Sequence, residues 1–185
     1  MRLGILIVAM SVATTMALTA QTRETAGTTG TSARPMATAR LMDAQGRAVG
    51  EAHLEQTTHG VLVTLDLNNV APGMHAVHVH RVGRCDGPTF ESAGDHFEPA
   101  SRQHGYLNPR GHHAGDLPNL DVPASKTAKV EHLLDDVTLA PGHRSLMDAD
   151  GAAIVLHAGK DDYLTDPAGA SGDRVACGRV TPSVK

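Results

Sequence analysis

The sequence predicts an all-β domain, a sandwich or barrel of short strands, and three observations support this prediction. Segments in which apolar and polar residues alternate are separated by clusters of turn-forming residues. No segment has the apolar period of a convincing amphipathic helix. The chain of 185 residues contains 19 Gly and 10 Pro, enough for many turns, and its length suits a single domain.

The clearest predicted strand is the third, in which every second residue from Val61 to Leu67 is apolar and lies on one face. This alternation is typical of a strand with one buried face. The first predicted strand alternates more weakly, and the fourth ends in the pair His78 and His80. In chain order, strands are predicted over residues 38–42, 48–56, 61–67, 74–80, 128–139, 152–157 and 174–180.

Two irregular segments, residues 81–125 and 158–173, interrupt the strands. The first is rich in Gly, Pro, Asp, His and Asn and has almost no periodicity. Long irregular segments in a compact domain are usually functional. We therefore expect the functional residues to lie mainly in these two loops.

The first twenty residues resemble a secretory signal peptide. A positive start precedes the apolar run Leu3–Ala9, and small residues before Ala20 permit cleavage there. Thr14 and Thr15 leave the run short for a bilayer span, so we expect no membrane anchor. The predicted organisation is a signal peptide over residues 1–20, a flexible polar leader over residues 21–36 and one β domain over residues 37–185.

The composition argues against nucleic-acid binding and favours metal binding. The net charge is −4 and aromatic residues make up 2% of the chain, so neither a broad phosphate-binding face nor a base-stacking surface is expected. Histidine, a common metal ligand, occurs 12 times. The two cysteines, Cys85 and Cys177, favour one disulfide in an exported protein, with two separate buried thiols as the alternative.

His78 and His80 share one face of their predicted strand, since alternate strand residues point the same way, while Val77 and Val79 face a core. Two such imidazoles can bind one metal, although most such pairs lie on a solvated strand face. His157, at the end of another apolar strand, would be a third ligand. In the long loop, three imidazoles and one carboxylate form a complete tetrahedral set for zinc: His96, His104, His113 and Asp116.

Several motifs, in the same order along the chain, resemble the copper–zinc superoxide dismutase family: Gly73–His80, Ser92–Phe97, His104–Gly105, His113–Leu117, His157–Asp161 and Arg174–Gly178. The position of Cys85 and the segment Gly115–Leu120 resemble the bacterial branch. The resemblance implies a Greek-key β-sandwich or barrel with two long functional loops, one metal-binding and one at the active site. It also implies an exported protein, with the periplasm favoured over release, and leaves both a monomer and a homodimer open.

The ligands are implied by the same resemblance. Copper would be bound by His78, His80, His96 and His157, and zinc by His96, His104, His113 and Asp116, so that His96 bridges the two metals. His112 is excluded because the run His-x-Gly-Asp-Leu selects His113. Cys85 and Cys177 would form the disulfide of the family.

The resemblance further implies conversion of two superoxide anions and two protons to oxygen and hydrogen peroxide. Arg174 would attract superoxide beside copper, His96 would take up a proton when copper is reduced, and Asp161 would orient one copper ligand and one zinc ligand. Residues 159–173 contain one Lys and four Asp. We therefore expect Arg174, aided by Arg81 and Arg84, to supply the local positive charge.

Two non-enzymatic functions remain open at the sequence level. One is a copper- or zinc-binding module without turnover, and the other is a secreted structural sandwich that uses only zinc and the disulfide. The complete ligand set and Arg174 argue against both.

Overall fold

The computed structural model describes residues 34–183, so the predicted signal peptide and residues 21–33 of the predicted leader lie outside the described residues. In chain order the strands are β1 (Met36–Asp43), β2 (Ala48–Thr57), β3 (Gly60–Asn68), β4 (Gly73–His75), β5 (Val77–His80), β6 (Leu120–Val122), β7 (Thr127–Leu134), β8 (Ala153–His157), β9 (Arg174–Arg179) and β10 (Thr181–Pro182). A single turn of 3-10 helix covers Glu91–Ala93. Within residues 34–183, no helix has the length and apolarity needed to cross a bilayer.

The strands form an antiparallel sheet in the order β5–β8–β9–β1–β2–β3–β7, which curls into a half-barrel; β10 pairs with β1. Strands β4 and β6 form a separate pair. Three neighbouring pairs, β5–β8, β9–β1 and β3–β7, join strands that are not consecutive in the chain, as in a Greek key. The predicted all-β fold is confirmed.

The core is aliphatic, as the scarcity of aromatic residues requires. The predicted inner face of β3, from Val61 to Leu67, is at most 2% exposed, and Leu54 on β2 and Ile154 on β8 are fully buried. Burying one such side chain contributes roughly 1.5–3 kcal/mol. The alternation in the sequence therefore identified the face that stabilises the sheet.

The structure corrects the predicted strands at three points. The predicted strand over residues 74–80 is two strands, because β4 pairs with β6 whereas β5 pairs with β8. Between them, the Ala76 N–H donates to Gly159 O and Ala76 O accepts from the His157 N–H. Strand β7 ends at Leu134 rather than at residue 139, and β6 lies inside the segment predicted to be irregular.

The first strand begins at Met36, one residue before the predicted start of the domain. Met36 pairs with Glu55 of β2, and the Gln56 N–H donates to Pro35 O at 3.0 Å. These contacts attach residues 35 and 36, which the sequence places in the leader, to strand β2 of the domain.

The predicted disulfide is present between Cys85 and Cys177, with a Cα–Cα distance of 5.6 Å. Cys177 lies on β9 between β1 and β8, and Cys85 lies in the loop that follows β5. The bond is packed against a small buried cluster that includes Phe90 and Val155. It thus attaches the first part of the long loop to the centre of the sheet.

We expect removal of this disulfide to destabilise the protein and loosen the loop. Because the bond joins residues 92 positions apart, the double variant Cys85→Ser, Cys177→Ser should lose about 2–5 kcal/mol in urea unfolding. As a control, a reductant should lower the midpoint of the wild type and leave that of the double variant unchanged. Equal midpoints for wild type and variant under oxidising conditions would contradict this expectation.

Candidate metal centre

Strand β5 supplies two histidines to the site and two valines to the core. Val77 and Val79 are buried in the core, while His78 and His80 point to the opposite side of the strand. The long loop folds back along β5, where the Val79 N–H donates to Gly115 O and Val79 O accepts from the Phe97 N–H, both at 2.8 Å. The loop thereby covers both imidazoles, which are at most 1% exposed.

Four buried histidine rings meet at this point and direct one nitrogen each toward a common space. The ring centroids of His78 and His96 are 4.0 Å apart, and those of His80 and His157 are 5.8 Å apart. One ligand atom from each of the four rings lies within 4.8 Å of the others. The inward nitrogens are buried and have no hydrogen-bond partner: His78 Nδ1, His80 Nε2, His96 Nε2 and His157 Nε2.

The second nitrogen of each of these rings has a partner that fixes its orientation. His80 Nδ1 donates to Gly94 O at 2.8 Å, and His157 Nδ1 lies 3.1 Å from Ser171 Oγ. Burial lowers the pKa of His78 to about 3, that of His80 to about 2 and that of His157 to about 4. The rings are therefore neutral at physiological pH, and each inward nitrogen offers a lone pair. Buried polar atoms without a partner are rare and costly, so the four nitrogens fit an all-imidazole metal site.

A second set of ligand atoms surrounds Asp116. Asp116 Oδ1 lies 3.0 Å from both His96 Nδ1 and His104 Nδ1, and 3.5 Å from His113 Nδ1. His113 Nδ1 is 3.3 Å from His96 Nδ1. Four ligands at zinc-bonding distance in a tetrahedron lie about 3.3 Å from one another. The three distances from Asp116 Oδ1 and the distance between His113 Nδ1 and His96 Nδ1 are therefore close to those of one tetrahedral zinc site.

His78 also comes within 4.8 Å of His96, His104 and Asp116. Its Nε2, however, is occupied by a carboxylate, and its Nδ1 is the nitrogen that faces the first set. His113, by contrast, brings its Nδ1 to 3.5 Å from Asp116 Oδ1 and to 3.3 Å from His96 Nδ1. His96 belongs to both sets, through Nε2 and Nδ1 respectively.

The buried carboxylate of Asp161 connects the two sets. His78 Nε2 donates to Asp161 Oδ2 and His104 Nε2 donates to Asp161 Oδ1, both at 2.9 Å. Burial alone would raise the pKa of Asp161, but these hydrogen bonds hold it well below its usual range. The carboxylate therefore stays ionised and fixes one ring of each set, as partners of metal ligands generally do.

His104 lies between two carboxylates. Burial alone would lower its pKa, but hydrogen bonds to Asp116 and Asp161 raise it to about 9. Hydrogen bonds from His104, His113 and His96 likewise hold the pKa of Asp116 far below its usual range, against the effect of burial. A cation at the centre of this set would take the place of the proton on His104 Nδ1.

Arg174 lies beside the all-histidine set. Its guanidinium donates to Phe90 O and to Gly94 O, each at 2.8 Å, and Gly94 O also accepts from His80 Nδ1. Burial lowers the pKa of Arg174, yet its side chain is only partly covered. A fixed, partly exposed cation next to these rings can attract a small anion.

The structure brings the predicted site residues together and adds others that sequence reasoning missed. His112 lies outside both sets, with its Nδ1 donating to His113 O. The Asn119 side chain donates to Asp161 O, and the Tyr163 N–H donates to the Asp161 carboxylate. Nδ1 of the buried His75 lies 2.7 Å from His157 O. No local pattern marked the contacts of Asn119 with Tyr163 and Asp161, because these residues are 44 and 42 positions from Asn119 in the chain.

Two sets of candidate ligand atoms that share one imidazole, held by loops on a curled antiparallel sheet, have the arrangement that a binuclear metalloprotein requires. The family model of copper/zinc superoxide dismutase matches residues 48–180. A copper–zinc superoxide dismutase of Aquifex aeolicus is 44% identical over 142 residues, covering 76% of this chain and 84% of the relative. The chain belongs to the copper/zinc superoxide dismutase family.

Two further relatives agree with this membership. A copper–zinc superoxide dismutase of Caulobacter vibrioides is 43% identical over 147 residues, covering 78% of this chain and 84% of the relative. The crystal structure of a superoxide dismutase-like protein from Bacillus subtilis superposes with a TM-score of 0.75 at 38% identity, covering 78% of this chain and 97% of that chain. The similarity thus includes nearly the whole β domain.

We expect Gly169→Ala to weaken zinc retention. Gly169 has a φ of +63°, and a Cβ there would overlap Asp161 Oδ1 and press on His104 Nε2. The displaced carboxylate should release His104, so zinc should pass to a competing chelator roughly 10-fold faster, by analogy with other losses of a partner of a metal ligand.

Gly46→Ala is the matched control for this variant. Gly46 has a similar φ of +74°, but a Cβ there would meet nothing within 4 Å. The Gly46→Ala variant should therefore show only the effect of backbone strain, which is a small loss of thermal stability with unchanged zinc release. Equal zinc release from the two variants would show that contact with Asp161 has no part in the effect.

Proposed function

We propose that the chain is a superoxide dismutase in which His78, His80, His96 and His157 bind copper and His96, His104, His113 and Asp116 bind zinc. The observation that carries the proposal is that His96 directs one nitrogen into each set. An imidazole shared in this way would bind one metal through each of its nitrogens. The reaction converts two superoxide anions and two protons to oxygen and hydrogen peroxide.

When bound, copper supplies the one-electron redox chemistry, and zinc, which has no redox chemistry, fixes the loop that carries its ligands. All-imidazole coordination suits copper, and the three imidazoles and one carboxylate of the second set suit zinc. The low pKa values of His78, His80 and His157 keep these rings available as ligands in neutral solution. Asp161 prevents His78 and His104 from turning away.

His96 is the residue suited to proton handling. Its Nδ1 faces Asp116 and its Nε2 is buried among the other rings without a hydrogen-bond partner. Burial, followed in importance by the hydrogen bond to Asp116, sets its pKa, which is lower than that of a free imidazole. With a cation bound at Nδ1, Nε2 would be the atom of this ring that can take up and release a proton.

Arg174 is the residue suited to attracting the substrate. Its two hydrogen bonds to Phe90 O and Gly94 O hold the guanidinium at the edge of the copper set. The other two cations expected to assist, Arg81 and Arg84, are paired with Asp95 and Asp86 respectively. We infer that Arg174 supplies most of the local attraction for an anion.

We further propose that the protein is exported and acts in the periplasm. The basis is the signal-peptide pattern of residues 1–20 together with the disulfide between Cys85 and Cys177. Disulfides persist in oxidising compartments. Mass analysis of the mature protein from fractionated cells tests both the cleavage after Ala20 and the compartment.

The neighbouring histidines His112 and His113 provide a matched test of the ligand assignment. We expect purified, fully loaded wild type to contain one copper and one zinc, His113→Ala to lose most of its zinc, and His112→Ala to retain both metals. Only His113 has a nitrogen within the tetrahedral set. Zinc loss of equal size in both variants, measured by elemental analysis, would contradict the assignment.

The rate of superoxide removal tests the function. The copper- and zinc-loaded wild type should catalyse the reaction, and Arg174→Glu should reduce its bimolecular rate about tenfold or more at low salt, because a focusing charge is reversed. Arg174→Lys should reduce it less, because the charge remains but the planar donor fork does not. Added salt should slow the wild type more than Arg174→Glu, since screening weakens an existing attraction.

Arg40→Glu is the control for net charge, because Arg40 is exposed on β1 among surface residues that include no candidate metal ligand. It should leave the rate nearly unchanged, and metal content should be equal in all variants. If the fully loaded wild type binds both metals and has no activity, the protein is a metal-binding module. If Arg174→Glu and Arg40→Glu have the same rate, Arg174 is an ordinary surface charge.

A further inference from the structure

The two tyrosines of the chain both direct their hydroxyl groups at the segment between the zinc ligand Asp116 and Asn119. The Tyr106 hydroxyl donates to Asp116 O, and the Tyr163 hydroxyl accepts from the Asn119 N–H, each at 2.6 Å. The two rings are in edge contact, with centroids 5.6 Å apart. Tyr106 comes from the metal-binding loop and Tyr163 from the active-site loop, so one segment is held by side chains of both loops.

The backbone of Tyr163 is tied to the same region. Its N–H donates to Asp161 Oδ1 at 2.6 Å, and its carbonyl accepts from the Leu107 N–H at 2.8 Å. Tyr163 has a φ of +62°, which is uncommon for a residue with a side chain. A Cβ at Gly105 would overlap Tyr163 O, so the metal-binding loop approaches this residue as closely as backbone atoms allow.

Asn119 extends the connection to the backbone of Asp161. Its side-chain amide donates to Asp161 O, and its side-chain oxygen accepts from the Asp161 N–H, each at 2.8 Å. A continuous chain of hydrogen bonds therefore runs from the Tyr163 hydroxyl through Asn119 to Asp161. From the Asp161 carboxylate it reaches His104 and His78.

We propose that Tyr163 is a positioning residue whose hydroxyl, through Asn119, holds Asp161 at the distance at which its carboxylate orients His104 and His78. Tyr106 performs the corresponding task for the backbone of Asp116. This inference rests on the ligand assignment proposed above. The proposed role differs from simple packing, because the hydroxyl groups, and not the rings, hold Asp161 and Asp116 in position.

The test compares Tyr163→Phe and Tyr106→Phe with the wild type. Each variant keeps the ring and loses one hydrogen bond, so both are expected to fold. The full mature chain is loaded anaerobically with colourless copper(I) and one equivalent of cobalt(II) as the zinc probe, and the visible cobalt bands are recorded. In a second experiment, zinc release from the copper–zinc protein to a chromogenic chelator is timed.

We expect Tyr163→Phe to change the positions or intensities of the cobalt bands and to release zinc about three- to tenfold faster. This effect is smaller than the roughly 10–100-fold loss expected for a direct partner of a metal ligand, because Tyr163 acts one step further away. Tyr106→Phe should change the cobalt bands in the same manner. Both results are sensitive to ligand orientation and do not depend on turnover.

Ser145→Ala is the matched control. Ser145 is buried, and its hydroxyl accepts from the Met147 N–H at 3.0 Å in a loop that carries no metal ligand. The Ser145→Ala variant loses a hydrogen bond from a backbone N–H to a side-chain hydroxyl, as Tyr163→Phe does. It should lower thermal stability and leave the cobalt bands and zinc release unchanged.

The outcomes separate this inference from the proposed function. If the wild type shows no tetrahedral cobalt spectrum, the ligand assignment is wrong and the inference is wrong with it. If the wild type shows that spectrum and Tyr163→Phe is indistinguishable from it, or if Ser145→Ala shows the same change, the positioning role of Tyr163 is overturned and the ligand assignment stands.

Discussion

The arrangement of four buried imidazole nitrogens without hydrogen-bond partners is the constraint on which the rest of the structure depends. Leaving one buried polar group unpaired costs roughly 1–3 kcal/mol, so the nitrogens of His78, His80, His96 and His157 together weigh heavily against a typical folding stability of about 5–15 kcal/mol. Metal coordination is the interaction that can offset such a cost, because it uses the lone pairs that burial keeps unprotonated. The fold therefore gives up stability at this point in order to present a site prepared for a cation, and every element nearby helps to hold the rings in place.

The sheet supplies a rigid edge, and the loops complete it. Strand β5 has β8 on one side, and its other side is occupied by loop backbone through the hydrogen bonds of Val79 to Gly115 and Phe97. The loop therefore takes the place of a further strand, which brings ligands from distant parts of the chain to His78 and His80. Asp161 then ties the second loop to one ring of each metal set. Because both loops depend on the same few groups, His96 and Asp161 connect the two sets of ligand atoms directly.

The sequence predicted the parts of this arrangement that depend on local pattern. Alternation identified the buried face of β3, and strand geometry placed His78 and His80 on the side away from the core, as the structure has them. The break at Ala76 was not predictable, because it arises from hydrogen bonds to residues 157 and 159, far along the chain. For the same reason the role of the Tyr163 hydroxyl escaped notice: its partner is the N–H of Asn119, 44 residues away in the chain. The resemblance to a family named the ligands and Asp161, whereas the contacts of Asn119 and Tyr163 that hold Asp161 are seen only in the structure.

The acidic character of the active-site loop, which at first conflicts with an anionic substrate, has a structural explanation. Asp161 is buried and accepts from two imidazoles, Asp162 accepts from the backbone of Leu164 and Thr165, and Asp166 accepts from the His104 N–H at 2.7 Å. Three of the four carboxylates thus accept hydrogen bonds that shape the loop or hold a ring. Arg174 is held beside His80 by the backbone carbonyls of Phe90 and Gly94 in the metal-binding loop. The field near copper therefore depends on where each charge is fixed, and the count of acidic residues in the loop does not determine it alone.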